Sequence, residues 1–401
     1  MKKILIAFMC FFLVSVSFAE EVSSIQKSTV CLNMIVKNEK NVITRCLQSV
    51  LPLIDTWVIV DTGSTDGTQE IIKDFLKNIP GELHERPWVN FAHNRNEALD
   101  LAKNKADYIL LIDADDIIRL DSNFKMPSLT KDFYQFIART KHHQFRVMNL
   151  IKSDVEWRWY GVIHEYLQAR KDTVGNILEG IEYVYINDGS RSKDPLTYQK
   201  DIALLEEAVK NNPSFPRNYF YLARTYLQAG EYEKAIEVFK QRSQMGGWIE
   251  EVFASKLSIG QLQNHLKKDP SLIKQSFIDA YLCQPLRSEP IYYLLEKLLE
   301  EGSVEQGFHI AKAALDLPKR HQAALFEETW VCDYGIPYQY ALCAARTKRF
   351  EEGRKMCKQV LAMENLPQIA QEKLQECLTF IEQEIEKEVQ SKIKALLLEK
   401  M

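Results

Sequence analysis

Glycine and proline are sparse, 15 and 13 among 401 residues. A chain this poor in both is neither collagen-like nor a low-complexity linker, and 46% hydrophobic against 26% charged residues excludes a wholly disordered one. An excess of one charge is also missing. Lys and Arg number 51 against 55 Asp and Glu, a net charge of −4, and no basic run stands out, so no nucleic-acid partner is expected. Beyond Ala19 no apolar run approaches the ~20 residues of a membrane-crossing helix. No transmembrane domain is therefore expected after the leader. Paired short cysteine spacings are lacking too. Apart from Cys10, the cysteines are an odd set scattered from Cys31 to Cys377, which is not a disulfide framework and suits small buried hydrophobes.

What the chain does have begins at its first residues. Lys2 and Lys3 precede an uncharged, mostly apolar run from Ile4 to Ala19, closed by Ser17-Phe18-Ala19. Residues 1–19 read as a signal peptide and imply export; a retained membrane anchor is the second choice, and cytoplasmic residence a third. Cleavage would remove two lysines and take the net charge to −6.

At ~100–200 residues per domain, the length allows two or three. From Thr29 to about Ile186, short apolar runs alternate with amphipathic segments, the pattern of an α/β domain with a mainly parallel sheet. Strands are expected at Thr29–Val36, Trp57–Asp61 and Tyr108–Ile112. Val42, Cys46, Leu47 and Val50 recur at helical spacing between the first two. Past Asp194 only helical periodicity remains. Tyr219, Leu222, Ala223, Tyr226, Gly230, Tyr232, Ala235 and Phe239 match the small and large positions of a tetratricopeptide repeat, with weaker copies around Gly307 and Gly353. The expected units are 28–194, an α/β domain; 195–365, an all-α repeat solenoid; and 366–401, a capping or coiled-coil helix.

Three carboxylates, Asp113, Asp115 and Asp116, follow the strand at 108–112, at the edge where open α/β sheets bind ligands. Adjacent carboxylates repel. A hard divalent cation, Mn²⁺ or Mg²⁺, relieves the repulsion and takes the rest of its shell from phosphate oxygens, which implies a diphosphate-bearing substrate. A second polar loop, Asp61-Thr62-Gly63-Ser64-Thr65-Asp66-Gly67-Thr68, follows the second strand. It lacks the Gly-Lys-Ser/Thr of a Walker loop and fits neither the dinucleotide fingerprint nor a calcium loop. His164-Glu165 is not a zincin motif, because position 168 is Gln168.

These segments together resemble the family 2 glycosyltransferases with a GT-A, Rossmann-like nucleotide-sugar fold. The resemblance runs through Met34-Ile35-Val36-Lys37-Asn38-Glu39, the Asp61–Thr68 loop, Phe91–Ala98 and Leu111–Asp116. The helical part is similar to the subgroup that fuses this domain to tetratricopeptide repeats. The resemblance implies that Asn38, Glu39 and Asp61 hold the nucleotide base and that Arg95 lies near base or diphosphate. It assigns ribose and metal contacts to Asp113 and Asp115, with Asp116 beside them. Thr62 stands where many members have a second Asp, which leaves the choice of nucleotide open.

Glu165 offers a base for the acceptor proton and His164 an imidazole for the metal or diphosphate shell. The polar loop Asn187–Lys193 could close over the donor and bring Arg191 or Lys193 to the leaving diphosphate; a plain linker is the alternative. The expected activity is a metal-dependent, inverting glycosyltransferase that moves a sugar from a nucleotide-diphosphate donor to an acceptor, protein or glycan, presented by the repeats. Two alternatives stand beside it, an inactive repeat-protein adaptor and a nucleotidyltransferase. A fragment spanning 20–194 is expected to keep donor binding and lose acceptor transfer.

Overall fold

The computed structural model describes residues 27–139, 144–317 and 325–399; the proposed leader lies outside them. The sheet domain opens with β1 (Val30–Val36), α1 (Ile43–Val50), β2 (Thr56–Asp61), α2 (Thr68–Phe75), β3 (Gly81–Glu85), α3 (Phe91–Ala102) and β4 (Tyr108–Leu111). Six of the seven β1 residues are buried because helices cover both faces. Leu32 and Met34 meet Ile43 and Leu47 of α1, while Cys31 meets Leu99 and Ala102 of α3. Asn33 is polar in the middle of this apolar strand. Its amide donates to the carbonyls of Val58 and Ala98, at 3.1 and 2.9 Å, and so ties β1 to β2 and α3.

β5 (Ile117–Leu120), β6 (Phe133–Arg139), β7 (Gln144–Lys152), the hairpin β8 (Trp157–Tyr160) and β9 (Tyr166–Ala169), and β10 (Gly175–Val184) complete the domain. The eight-stranded order is β3-β2-β1-β4-β7-β6-β10-β5. The β3-β2-β1-β4 half is parallel, whereas β7 runs antiparallel to both β4 and β6, and β5 antiparallel to β10. β6 and β10 are parallel again, so the sheet is mixed, and the mainly parallel sheet expected from the alternation holds throughout the β3-β2-β1-β4 half and for one pair beyond it. Strand order reverses beside β1, whose parallel neighbours are β2 on one side and β4 on the other, and the crevice at their carboxyl ends is the topological switch point.

The helical part packs consecutive antiparallel helices: α4 (Thr197–Asn211), α5 (Pro216–Gln228), α6 (Tyr232–Gln244), α7 (Ile249–His265), α8 (Pro270–Cys283), α9 (Glu289–Glu300), α10 (Val304–Ala314), α11 (Ile336–Arg346), α12 (Phe350–Leu361) and α13 (Gln368–Glu399). The repeat pattern read at 219–239 is the α5–α6 pair, with Ala223 and Ala235 fully buried where the helices cross. The α7–α8 pair was not legible as a repeat. It closes on Gly260, where a methyl group would lie 2.6 Å from the Phe277 ring. Helix α13 caps the stack with Leu374, Leu378 and Ile381, then runs on with Val389, Ile393 and Leu396 exposed.

The change at Asp194 is one of secondary structure rather than of packing. Ile163, from the loop between β8 and β9, is buried in the core formed by Ile202, Leu205, Phe220 and Phe239, and Phe91 and Val162 pack against the same core. Sheet domain and first repeat share apolar residues.

Candidate active site

Loops after β1, β2 and β4 meet at the switch point, and their polarity follows from their place at strand ends. Asp61, the last residue of β2, is fully buried. Its Oδ1 accepts the backbone N–H groups of Gly63 and Ser64, at 2.9 and 2.8 Å, which folds the Gly-Ser-Thr-Asp loop over it. Gly63 reaches φ +104°, a left-handed conformation that this tight turn requires. The other oxygen, Oδ2, is buried and has no partner among the described residues. An unsatisfied buried carboxylate oxygen is costly, and a donor group from a ligand would satisfy it.

Asn38 and Glu39 follow β1. Asn38 lies at φ +56°, and its Oδ1 accepts the Thr65 N–H at 2.8 Å, so its side chain holds the neighbouring loop in place. The Glu39 carboxylate accepts Ser190 N–H at 3.2 Å, and burial raises its pKa above the usual carboxylate value.

The acidic triplet is divided among three tasks. Asp113 is half-exposed, and its Oδ1 accepts Arg95 at 2.6 Å. Asp115 accepts the Gly189 N–H at 3.0 Å through Oδ2. Asp116 turns inward: its oxygens accept Tyr183 Oη at 2.7 Å and Ile186 N–H at 2.9 Å. Of the three expected metal ligands, Asp116 is thus spent on anchoring the loop after β10, because Tyr183 and the Ile186 N–H reach it from that distant segment. Among the described residues no three His, Cys, Asp or Glu side chains converge on one point. Asp113 and Asp115 still keep one oxygen each outside these contacts, a donor set that suits a hard ion completed by phosphate oxygens.

Burial raises the Asp116 pKa from 3.8 to about 6, against the lowering effect of the Ile186 and Tyr183 hydrogen bonds. The folded state therefore holds this proton more tightly than the unfolded chain. The associated stability is complete below about pH 4 and is lost as pH rises through about 6. In metal-free buffer Asp116→Asn keeps an oxygen for the Ile186 N–H and turns its amide nitrogen to Tyr183 Oη as a donor, and its stability relative to the native chain is expected to be higher at pH 7.5 than at pH 4. Thermal melts at the two pH values check this.

Arg95, on α3, bridges two predicted site residues. Its Nε meets Glu165 Oε1 at 2.5 Å and its terminal nitrogen meets Asp113, while the guanidinium lies 5.1 Å from the Trp159 ring centroid. Burial alone would weaken the charge, but Asp113 and Glu165 together hold the pKa above its ordinary value. His164 is placed otherwise than expected. Its ring stacks on Tyr221 of α5, with centroids 4.3 Å apart, and so is committed to the repeat side instead of the acidic strand end. Desolvation against Tyr221, then the charges of Arg224, Arg191 and Arg217, lower its pKa to about 4, so the ring is neutral at neutral pH although the residue is exposed.

The linker after β10 lies across the crevice. Asp188 pairs with Arg45 at 2.6 Å, Gly189 donates to Asp115 and Ser190 to Glu39. A methyl at Gly189 would sit 2.8 Å from Asp115 Oδ2, so only glycine permits this approach. Arg191 does not face the crevice alone: it pairs with Asp201 of α4 at 2.6 Å and lies over Phe91. Arg45, which also donates to the Asp115 carbonyl at 2.7 Å, was missed by sequence reasoning. On an amphipathic helix an arginine reads as a solvent-facing residue, and the signal available was its place directly before the buried Cys46-Leu47 pair.

Residues 31–126, which carry the loops of this crevice, match the profile of glycosyl transferase family 2, and residues 204–237 match that of a tetratricopeptide repeat. The chain carries a family 2 glycosyltransferase domain. The SPbeta prophage-derived glycosyltransferase SunS of Bacillus subtilis is 24% identical over 227 residues, 53% of this chain and 53% of that protein. An uncharacterised glycosyltransferase of Rickettsia typhi is 22% identical over 169 residues, 42% of this chain and 53% of the relative. The chain thus spans about half the length of these curated relatives. A solved structure titled YrrB, a TPR protein with an unusual peptide-binding site, is similar at 15% identity, covering 44% of this chain and 82% of that one, with a TM-score of 0.33. Within the family 2 domain the matched segment holds Asn38, Glu39, Asp61, Arg95 and the acidic triplet, while Glu165 and Arg191 lie beyond it.

Proposed function

We propose that this protein is a metal-dependent glycosyltransferase that moves a sugar from a nucleoside-diphosphate donor to an acceptor nucleophile with inversion. The observation that carries the reading is the buried, unpartnered oxygen of Asp61 in the same crevice as Asp113 and Asp115. An acceptor of that kind takes an N–H from a nucleotide base, and the two acidic side chains stand where a diphosphate's metal would bind. Asp113 and Asp115 would hold a Mn²⁺ or Mg²⁺ ion, which when bound supplies charge stabilisation for the departing diphosphate. Arg95 fixes Asp113 and Glu165 relative to each other. Glu165 receives the acceptor proton, and Trp159 covers the Arg95 face and excludes water there. Acceptor presentation falls to the repeats, whose first helices pack against Ile163 and Val162 in the loop that carries Glu165.

The test is a donor-breakdown assay on the full chain across several sugar nucleotides with Mn²⁺. Release of a nucleoside diphosphate supports the reading, inorganic pyrophosphate replaces it with nucleotidyl transfer, and no breakdown with any donor leaves an adaptor. Export rests on the leader. A mature chain beginning near Glu20 by intact-mass measurement is expected, and an unprocessed N-terminus on membrane-associated protein would substitute an anchor.

A further inference from the structure

Glu165 sits on a loop with no regular structure of its own, yet its carboxylate meets Arg95 at 2.5 Å. Something outside the sheet must hold that loop. Gly161 and His164 both have positive φ, +97° and +50°, and the second is costly for a residue with a side chain. The holding group comes from the repeat domain. Arg217, in the first turn of α5, donates to the His164 carbonyl with its terminal nitrogen at 2.9 Å and its Nε at 3.3 Å. That carbonyl belongs to the peptide bond joining His164 to Glu165, so the guanidinium fork fixes the plane from which the Glu165 Cα departs.

Arg217 is itself fixed. Its guanidinium lies over the rings of Tyr166 and Tyr221, at 4.9 and 4.8 Å. A further nitrogen meets Glu251 of α7 at 3.2 Å, and Glu251 is buried and also receives Arg242, which is wholly buried. Two ion-paired runs are therefore joined through the His164–Glu165 peptide: Arg242, Glu251 and Arg217 on the repeat side, and Glu165, Arg95 and Asp113 at the acidic strand end. A surface arginine would have no reason to be shared between a strained peptide and a buried carboxylate.

We propose that Arg217 is a positioning residue for Glu165, so that the repeat domain sets the geometry of the base while contributing no group to the chemistry. The proposal rests on the glycosyltransferase reading and on Glu165 as its base. A displaced base loses rate while Asp61, held by the Gly63 and Ser64 N–H groups and touching neither Arg217 nor Glu165, keeps its place.

The test compares full-length native chain, Arg217→Ala and Arg217→Lys by release of nucleoside diphosphate from a sugar-nucleotide panel with Mn²⁺. Arg217→Ala is expected to lower kcat about a hundredfold with KM for the donor changed less than about threefold, in a protein that still melts cooperatively. Arg217→Lys, which keeps one donor for the carbonyl, is expected to recover part of kcat, and millimolar guanidinium chloride to recover part of the Arg217→Ala loss. An unchanged kcat in folded Arg217→Ala overturns the proposal. So does a loss that follows the unfolded fraction and ignores guanidinium, which would make Arg217 a fold residue only. Absence of turnover by the native chain with every donor removes the glycosyltransferase reading itself, and the proposal with it.

Discussion

A chain cut after Asp194 is expected to lose its cooperative thermal transition or to melt far below the intact protein. The reason lies in the shared core: Phe91, Val162 and Ile163 pack among Ile202, Leu205, Phe220 and Phe239. Uncovering three such side chains removes roughly 1.5–3 kcal/mol each, as an upper estimate, from a total that for ordinary domains is about 5–15 kcal/mol. The Arg217 and Arg191 contacts to the repeats go with them. Differential scanning calorimetry on the 20–194 fragment decides the matter. A sharp transition near that of the intact chain, with donor affinity unchanged by titration calorimetry, would show two independent domains, as the sequence alone suggests. A cut made after α7 keeps every buried residue of this core, losing the half-buried Leu266 and Leu325 packed against it, and is expected to melt closer to the intact protein than the 20–194 fragment.

The second large effect belongs to Asp115. Asp115→Asn keeps an oxygen for the Gly189 N–H, so the crevice and its crossing linker stay in place, while the formal charge that would hold a divalent ion is lost. Donor breakdown is expected to fall at least about a hundredfold, with an unchanged melting temperature. EDTA should reproduce the loss in the native chain, and Mn²⁺ should reverse it. Full turnover in EDTA, or in a folded Asp115→Asn protein, would falsify the metal's role and leave Arg95 as the main positive charge near Asp113.

These two expectations differ in what the sequence could reveal. The acidic strand end was legible because three carboxylates within four residues after an apolar strand have few structural uses. Their division was not. Asp116 is committed to Tyr183 and Ile186, partners 67 and 70 residues away, and nothing local in Asp113–Asp116 marks which carboxylate turns inward. Arg95 was legible as a site residue, but its bridging of Asp113 and Glu165 joins segments 70 residues apart.

Local pattern by itself determined the strands β1, β2 and β4, the helices between them, the two polar loops at their ends and the α5–α6 repeat, since periodicity and turn chemistry are properties of neighbouring residues. The mixed half of the sheet escaped it, because the antiparallel pairing of β4 with β7 depends on register across the fold. Only the tertiary structure decided that the linker crosses the crevice onto Glu39, Asp115 and Arg45, and that His164 belongs to the repeat side. It also decided that the two domains share one core. Each of these is set by contacts between distant segments, where burial, charge pairing and a strained peptide are resolved together, and no single stretch of sequence contains both partners.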